Sequence, residues 1–263
     1  MSLTVGSLFS GIGGLDLGLE RAGMNVIWQS EIEPYACKVL KKHWPEVVNH
    51  GDIKEIKWGN IVPPDIICGG YPCQPFSTAG LRKGEDDPRH LWPWVRQAIS
   101  ELRPRYAILE NVRGHLSMGG MSVVGELATL GYDAEWRIVS AASVGANHRR
   151  DRIIIVAYPQ EQHSDVQPDY FGHRSRPEKV SQPGNSSWTQ DVAYPDFQPR
   201  YIQRTRTVFQ PNTERCSWWE TEPDVGRMAD GIPNRLDRLR GLGNAVVPQV
   251  AEAIGRLVME HAS

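Results

Sequence analysis

Along the first 157 residues, short runs of apolar and β-branched residues alternate with segments in which apolar residues recur at helical spacing. The short runs predict seven strands, at residues 5–9, 25–29, 47–48, 65–68, 106–109, 135–140 and 153–157. The periodic segments predict four helices, at residues 15–22, 34–43, 91–102 and 121–130. Strands that alternate with helices are typical of a parallel sheet covered on both faces, so we expect a doubly wound α/β domain over residues 1–157.

This pattern is lost between residues 158 and 226. The stretch holds eight of the 19 prolines and three of the 25 glycines, and it has no clear helical or strand period. We therefore expect an irregular insertion. Helical spacing returns at residues 246–259, which predicts a helix that packs back on the first domain. The sequence thus predicts one large domain, formed by residues 1–157 and 227–263, and a small segment at residues 158–226.

The composition is that of an ordinary globular chain, with 29 Lys and Arg residues, 31 Asp and Glu residues, and 40% hydrophobic residues. A net charge of −2 does not indicate a nucleic-acid partner, so such a partner must be argued from particular residues. No apolar run reaches the roughly 20 residues of a membrane span, and the first residues do not resemble a signal peptide. We therefore expect a cytoplasmic chain without a membrane partner.

The four cysteines are Cys37, Cys68, Cys73 and Cys216. They form no C-x-x-C pair and have no histidine at metal-ligand spacing, so we expect no metal site. A disulfide framework is also disfavoured in a chain of this size without a secretion signal. Cys37 and Cys68 lie in apolar segments and are predicted to be packing residues. Cys73 differs, because it lies in a loop with prolines on both sides.

A glycine-rich turn, S-L-F-S-G-I-G-G at residues 7–14, follows the first predicted strand and opens the first predicted helix. Glycines there allow a tight turn and close approach of a ligand, which indicates a nucleotide-type ligand. The spacing differs from the dinucleotide G-x-G-x-x-G. Glu31 ends the second strand, where it could accept hydrogen bonds from both ribose hydroxyls, and Asp52 after the third could bind an adenine amino group. Either acid alone could equally be a helix cap or an exposed charge.

A second group of reactive side chains follows later strands. Residues 69–77, G-G-Y-P-C-Q-P-F-S, place Cys73 at the carboxyl end of a strand, where open α/β sheets bind ligands. A thiolate there would be a strong nucleophile, and nearby cations would favour its formation. Glu110 ends the neighbouring strand in L-E-N-V, and Arg150 and Arg152 precede the last strand in R-R-D-R. We expect the cysteine, the acid and the arginines to meet at one edge of the sheet.

Together with G-N-A-V-V-P at residues 243–248, these motifs closely resemble the cytosine-C5 DNA methyltransferase family, of the phage or restriction-modification type. The F-x-G-x-G-G turn, the P-C-Q loop, the E-N-V strand end, the R-x-R pair and the late asparagine-valine segment occur in that family's order and approximate spacing. They cover nearly all of residues 3–157 and 227–256. The resemblance implies a Rossmann-like S-adenosylmethionine-dependent methyltransferase fold with a small irregular target-recognition insertion at residues 158–226.

The resemblance also implies S-adenosylmethionine as cofactor and a flipped cytosine in duplex DNA as substrate. It implies that Cys73 attacks cytosine C6, that Glu110 shares a proton with N3, and that Arg152, with Arg150 close by, holds the base and the catalytic groups. Methyl transfer to C5, loss of the C5 proton and elimination of Cys73 would complete the cycle. The positions that match the family's cofactor site are Phe9, Gly11, Gly13, Glu31, Ile32, Asp52, Ile53, Leu91, Asn244 and Val246.

The loop that follows Cys73 has the composition of a lid that could close over flipped DNA. The target segment carries seven basic and ten acidic residues, so it is not a basic arm. We expect double-stranded DNA as the partner and a monomeric enzyme. The candidate DNA contacts are Gln74, Ser77, Arg82 and Lys83 in the loop, and Arg200, Arg204 and Arg206 in the target segment.

Two alternatives remain open at this point. A tRNA cytosine-C5 methyltransferase would keep the fold and the chemistry, but the Cys-Phe-Thr signature of that branch is missing from the target segment. A catalytically silent DNA-binding relative would have no need of Cys73, Gln74, Glu110 and Arg152. The leading hypothesis is therefore a DNA (cytosine-5-)-methyltransferase.

Overall fold

The computed structural model describes residues 2–72, 91–117, 120–160 and 235–262. Within these ranges one sheet holds all the strands, and each segment predicted as a strand or helix in residues 1–157 forms that element. The strands are β1 Thr4–Leu8, β2 Asn25–Ser30, β3 Val48–Asn49, β4 Ile66–Gly69, β5 Tyr106–Val112, β6 Tyr132–Val139 and β7 Arg152–Pro159. The helices are α1 Gly14–Arg21, α2 Pro34–His43, α3 Trp92–Leu102, α4 Gly120–Thr129, α5 Arg235–Asn244 and α6 Pro248–Ala262.

The strand order is β3-β2-β1-β4-β5-β7-β6. The first five strands in this order are parallel, but β7 runs antiparallel to both β5 and β6. The parallel sheet that the sequence predicts is therefore interrupted at β7. Consecutive strands β6 and β7 are neighbours joined without a crossover helix, and such a connection permits only antiparallel pairing. As a result, β7 begins at the edge where the parallel strands end.

Helices cover both faces of the sheet, as the sequence predicts. On one face, Leu19 of α1 and Ile254 of α6 pack in a core with the sheet. On the other face, Ile99 of α3 and Leu127 of α4 form the second core. All four side chains are at most 1% exposed. The sheet is thus a rigid support for loops at its edge.

The predicted helix at residues 246–259 is present as α6 and packs on α1, which confirms that the chain returns to the first domain. The contact is close, because a Cβ atom at Gly18 would overlap the carbonyl oxygen of Pro248. Helix α5 is absent from the sequence prediction. Its residues R-L-D-R-L-R-G-L-G-N are mostly polar or glycine, and Leu236 and Leu242 are exposed.

Candidate active site

The candidate site lies at the edge where the parallel strands end. The glycine turn follows β1, Glu31 follows β2, and Gly70 follows β4. Glu110 is part of β5, and Arg152 is the first residue of β7. The carboxyl ends of parallel strands are the usual binding edge of open α/β sheets.

The glycine turn has an unusual backbone. The φ angle is 52° at Phe9, 57° at Gly11 and 83° at Gly13. These left-handed values favour glycine, and Phe9 adopts one without being a glycine. Gly13 is the N-cap residue of α1, and its N–H donates to the carbonyl oxygen of Ser10 at 2.9 Å. Among the residues that the structure describes, the atom nearest to a Cβ atom at Gly11 would be the Phe9 carbonyl oxygen, at 4.0 Å, so a ligand could approach the backbone there.

The Glu31 carboxylate is fixed by three backbone amides. Its Oε2 accepts a hydrogen bond from the Gly11 N–H at 2.7 Å, and its Oε1 accepts from the N–H groups of Ile32 at 2.8 Å and Glu33 at 2.7 Å. A carboxylate has about four acceptor positions, so about one remains for a ligand hydroxyl. Glu31 is not the helix cap, because Glu33 caps α2 by accepting from the Ala36 N–H.

Asn49, the last residue of β3, holds this strand end in place and is missing from the sequence prediction. Its Oδ1 accepts from the N–H groups of Glu31 at 2.9 Å and Gly51 at 3.1 Å. Its Nδ2 donates to the Glu31 carbonyl oxygen at 3.1 Å. The half-buried Cys37 thiol donates to the same carbonyl oxygen at 3.2 Å. No motif marks Asn49, since its role depends on which strand lies next to β2.

The other residues predicted for the cofactor lie around the same strand ends. Ile32 is 64% exposed and offers an apolar face beside Glu31. Asp52 lies half-buried in the turn after β3, where its Oδ1 accepts from the Lys54 N–H at 3.0 Å. The Ile53 side chain is buried in the core, which leaves only its backbone for a ligand. Leu91 is half-buried and directly precedes α3.

The late asparagine-valine segment packs directly on the glycine turn. Asn244 ends α5 and is exposed, whereas Val246 is buried. A Cβ atom at Gly14 would overlap the Val246 carbonyl oxygen. The structure therefore brings together, at one place, the first and the last of the five motifs.

Below the glycine turn lies a buried polar network that no sequence motif marks. Asp16 of α1 is fully buried, and it accepts hydrogen bonds from Ser7 Oγ at 3.0 Å and Gln29 Nε2 at 2.9 Å. Ser10 Oγ donates to Ser7 Oγ at 2.9 Å and so joins the turn to the network. Burial raises the pKa of Asp16 to about 6, although the hydrogen bonds from Gln29 and Ser7 lower it.

Strands β5 and β7 bring Glu110 and Arg152 together. Glu110 pairs with Ile154 and Val112 pairs with Arg152, so the two charged side chains are diagonal neighbours on one face. Arg152 Nε lies 2.7 Å from Glu110 Oε1. The reversed direction of β7 creates this ion pair, because it puts the first residue of β7 beside the end of β5.

Glu110 is only 8% exposed, and burial raises its pKa, while the charges of Arg152 and Arg150 oppose that rise. In the part of the chain that the structure describes, Oε2 of Glu110 forms no hydrogen bond. That oxygen lies against Gly70, where a Cβ atom would be 2.8 Å away. One carboxylate oxygen is thus bound by arginine, and the other is available to a ligand.

Arg150 binds the backbone around Asn244 instead of the Glu110 carboxylate, although its charge still opposes the rise in the pKa of Glu110 that burial causes. Its Nη2 donates to the carbonyl oxygens of Gly243 and Ala245, both at 2.6 Å. Its φ angle is 42°, one of three positive values at non-glycine residues in the described ranges. The two arginines of the R-x-R motif therefore have different partners.

The backbone that leads to Cys73 is anchored beside Glu110. Asn111 Nδ2 donates to the Tyr71 carbonyl oxygen at 3.0 Å, and the Tyr71 hydroxyl lies 2.8 Å from Nε2 of the buried His115. Burial lowers the pKa of His115 to about 4, so its ring is neutral at pH 7. The other predicted site residues lie outside the described residues: Cys73, Gln74, Ser77, Arg82, Lys83, Arg200, Arg204 and Arg206.

The chain matches the family model described as C-5 cytosine-specific DNA methylase over residues 3–213, which is most of its length. The chain belongs to the C-5 cytosine-specific DNA methylase family. The enzyme class that the motifs predict, a DNA cytosine-5-methyltransferase, is thereby confirmed.

The chain is similar to several type II methyltransferases, and the matched part of each relative differs in length. M.NgoMIV of Neisseria gonorrhoeae is 29% identical over 313 residues, covering 99% of this chain and 98% of the relative. M.NaeI of Lentzea aerocolonigenes is 37% identical over 319 residues, covering 98% of this chain and 75% of the relative. With M.Eco47II of Escherichia coli, 38% identical over 164 residues, the match covers 59% of this chain and only 39% of the relative.

Among solved structures, a DNA modification methyltransferase encoded within an E. coli prophage superposes with a TM-score of 0.54 at 30% sequence identity. The superposition covers 65% of this chain and 50% of that protein. Together with the seven-stranded sheet, it confirms the expected Rossmann-like methyltransferase fold.

None of the helices that the structure describes is long and apolar enough to cross a membrane. Over the same ranges, no three His, Cys, Asp or Glu side chains form a group that could hold a metal ion.

Proposed function

We propose that this chain methylates C5 of a flipped cytosine in duplex DNA, with S-adenosylmethionine as methyl donor and through a covalent bond between Cys73 and cytosine C6. The observation that carries the proposal is the ion pair of Glu110 and Arg152, which lies beside the backbone that leads to Cys73 and on the side of it away from the glycine turn. Family membership supports the reaction class.

The strand ends fit S-adenosylmethionine. The open space at Gly11 would let the cofactor approach the backbone of the turn. The remaining acceptor position of Glu31 suits a ribose hydroxyl, and the exposed face of Ile32 suits an adenine ring. Asp52 would accept a hydrogen bond from the adenine amino group. The glycine turn lacks the lysine of a phosphate loop, which also favours a nucleoside without a pyrophosphate. When bound, this cofactor supplies an electrophilic methyl group on a sulfonium centre.

Cytosine C5 is too weak a nucleophile to take a methyl group unaided, so a nucleophile must first add to C6. The Cys73 thiolate would form that bond and push electron density to C5 and N3. Glu110 would share its proton with N3 through Oε2, the oxygen that Arg152 does not bind. The raised pKa of Glu110 suits this proton donation, and the Arg152 charge stabilises the carboxylate and the base.

After methyl transfer, the C5 proton would pass to water, and its bonding electrons would restore the C5–C6 double bond as the Cys73–C6 bond breaks. N3 would return its proton to Glu110. The thiolate leaves with the electron pair of that bond, so the enzyme is regenerated. These atoms lie inside the stacked duplex, so the base must flip out, at a cost of a few kcal/mol. We assign residues 158–226 to target recognition and the rest of the chain to catalysis, with DNA contacts at Gln74, Ser77, Arg82, Lys83, Arg200, Arg204 and Arg206.

The covalent step is tested with a duplex DNA library in which 5-fluorocytosine replaces cytosine. Fluorine cannot leave C5 as a proton does, so with S-adenosylmethionine the wild-type enzyme should form an adduct that survives denaturing electrophoresis. Cys73→Ala should form none. The matched control is Cys68→Ala, because burial raises the pKa of that fully buried thiol and makes it a poor nucleophile; this variant should still form the adduct. An adduct in Cys73→Ala, or none in the wild type, contradicts the mechanism.

A further inference from the structure

Arg150 connects two parts of the proposed site that lie far apart in the sequence. Its Nη2 group uses its two hydrogens on the carbonyl oxygens of Gly243 and Ala245, which stand on either side of Asn244. Residues 243–246, named the cofactor segment here, include two of the positions assigned to the cofactor. The hydrogen bonds therefore fix the backbone of Asn244 without using its side chain.

The cofactor segment also rests on the glycine turn. Val246 packs so closely on Gly14 that no Cβ atom would fit there, and Gly241, just before the segment, lies against Ile12. The segment is thus held on one side by the turn and on the other by Arg150.

The backbone around Arg150 is fixed as well. The carbonyl oxygen of Arg149 accepts from the Ala141 N–H at 2.6 Å and from Ser140 Oγ at 2.7 Å. Arg150 then adopts φ 42°, a value that persists at a bulky residue only where its surroundings impose it. Two residues later, Arg152 is bound to Glu110. A shift of the cofactor segment would therefore move the loop that carries the catalytic arginine.

We propose that Arg150 is a positioning residue, which holds the cofactor segment against the catalytic edge, and not a residue that contacts the cytosine. This inference rests on the proposed function, because it takes residues 243–246 as part of the cofactor site. The two arginines of the R-x-R motif then have separate roles. Arg152 acts at the base through Glu110, and Arg150 acts at the cofactor through the Asn244 backbone.

The test separates cofactor affinity from turnover in Arg150→Met and Arg152→Met. The dissociation constant of S-adenosylhomocysteine is measured calorimetrically without DNA, and kcat and the KM for S-adenosylmethionine are measured on DNA. Arg150→Met should weaken S-adenosylhomocysteine binding and raise KM by about tenfold, a coupling of ordinary size, while kcat at saturating cofactor stays near wild type. Arg152→Met should show the reverse, with a low kcat and unchanged affinity.

Two further variants complete the design. Arg256→Met on α6 removes an exposed arginine whose partner is Glu252, and it should match the wild type in all three constants. Arg150→Lys keeps a charged donor and should bind S-adenosylhomocysteine with an affinity between those of the wild type and Arg150→Met. It also supplies the comparison if Arg150→Met does not fold.

The proposal is overturned if Arg150→Met, or in its place Arg150→Lys, keeps wild-type affinity, whether kcat falls or not. A fall in kcat alone would place Arg150 at the base. If the wild-type protein itself binds no S-adenosylhomocysteine, the proposed function fails and not merely the role of Arg150.

Discussion

The carboxyl group of Asp16 is fully buried below the glycine turn, and burial raises its pKa from 3.8 to about 6. Between pH 3.8 and about pH 6, Asp16 therefore keeps its proton in the folded state but loses it in the unfolded chain. Stability that is present below pH 4 is lost as the pH rises through 6. At about 1.4 kcal/mol per pH unit, the loss amounts to about 3 kcal/mol.

The wild-type curve alone would hide this effect. Burial lowers the pKa of His115 from 6.5 to about 4, so the folded state resists protonation of that ring. The stability that His115 contributes is present above pH 6.5 and is lost as the pH falls towards 4. The two slopes are opposite and of similar size. The contribution of Asp16 must therefore be measured as a difference between two proteins that share His115.

The assay is urea unfolding of the wild type and Asp16→Asn at several values between pH 4 and pH 7.5. Because all other titrating groups cancel, the stability of Asp16→Asn relative to the wild type should rise by about 2.5 kcal/mol over this range, whatever its value at pH 4. Gly125→Ala in α4, which changes no titratable group, is the control and should run parallel to the wild type. If the curve for Asp16→Asn is also parallel to that of the wild type, the pKa of Asp16 is not raised by burial and the prediction is wrong.

Two further predictions concern packing and catalysis. Gly14→Ala should destabilise the protein by about 1–3 kcal/mol, because the new methyl group overlaps the Val246 carbonyl oxygen. The control is Gly125→Ala in α4, where the described residues leave open space around the new methyl group. This variant should stabilise the protein by up to about 1 kcal/mol. Equal urea midpoints for the two variants would contradict the prediction for Gly14. Glu110→Gln should lower kcat by about 10²- to 10⁴-fold and leave S-adenosylhomocysteine affinity unchanged; an equal loss of both, measured by kinetics and calorimetry, would remove Glu110 from the chemistry.

Much of the fold follows from the sequence because apolar periodicity marks buried strands and helices directly. The direction of β7 does not follow from it. The run of isoleucines at residues 153–155 predicts a strand, but only the absence of a crossover helix before it decides which way it runs. Helix α5 is also hard to predict, since its ten residues include two glycines and few apolar side chains.

The candidate site shows the same division. The motifs place Glu31, Glu110 and the arginines at strand ends, and the edge at which they meet follows from the sheet. A motif cannot distinguish the two arginines. The register of β5 and β7 places Arg152 beside Glu110, and the tertiary fold brings Arg150 to Gly243. Residues that bind backbone across the fold, such as Asn49, carry no local signal.

The most direct test of the proposed function is expression of the chain in cells that lack DNA methylation, followed by bisulfite sequencing of the host genome. We expect cytosines within one recurrent sequence to resist conversion, and the same cytosines to convert fully when Cys73→Ala is expressed at the same level. Complete conversion in cells that contain folded wild-type protein would contradict the proposed function, as would protection that persists with Cys73→Ala.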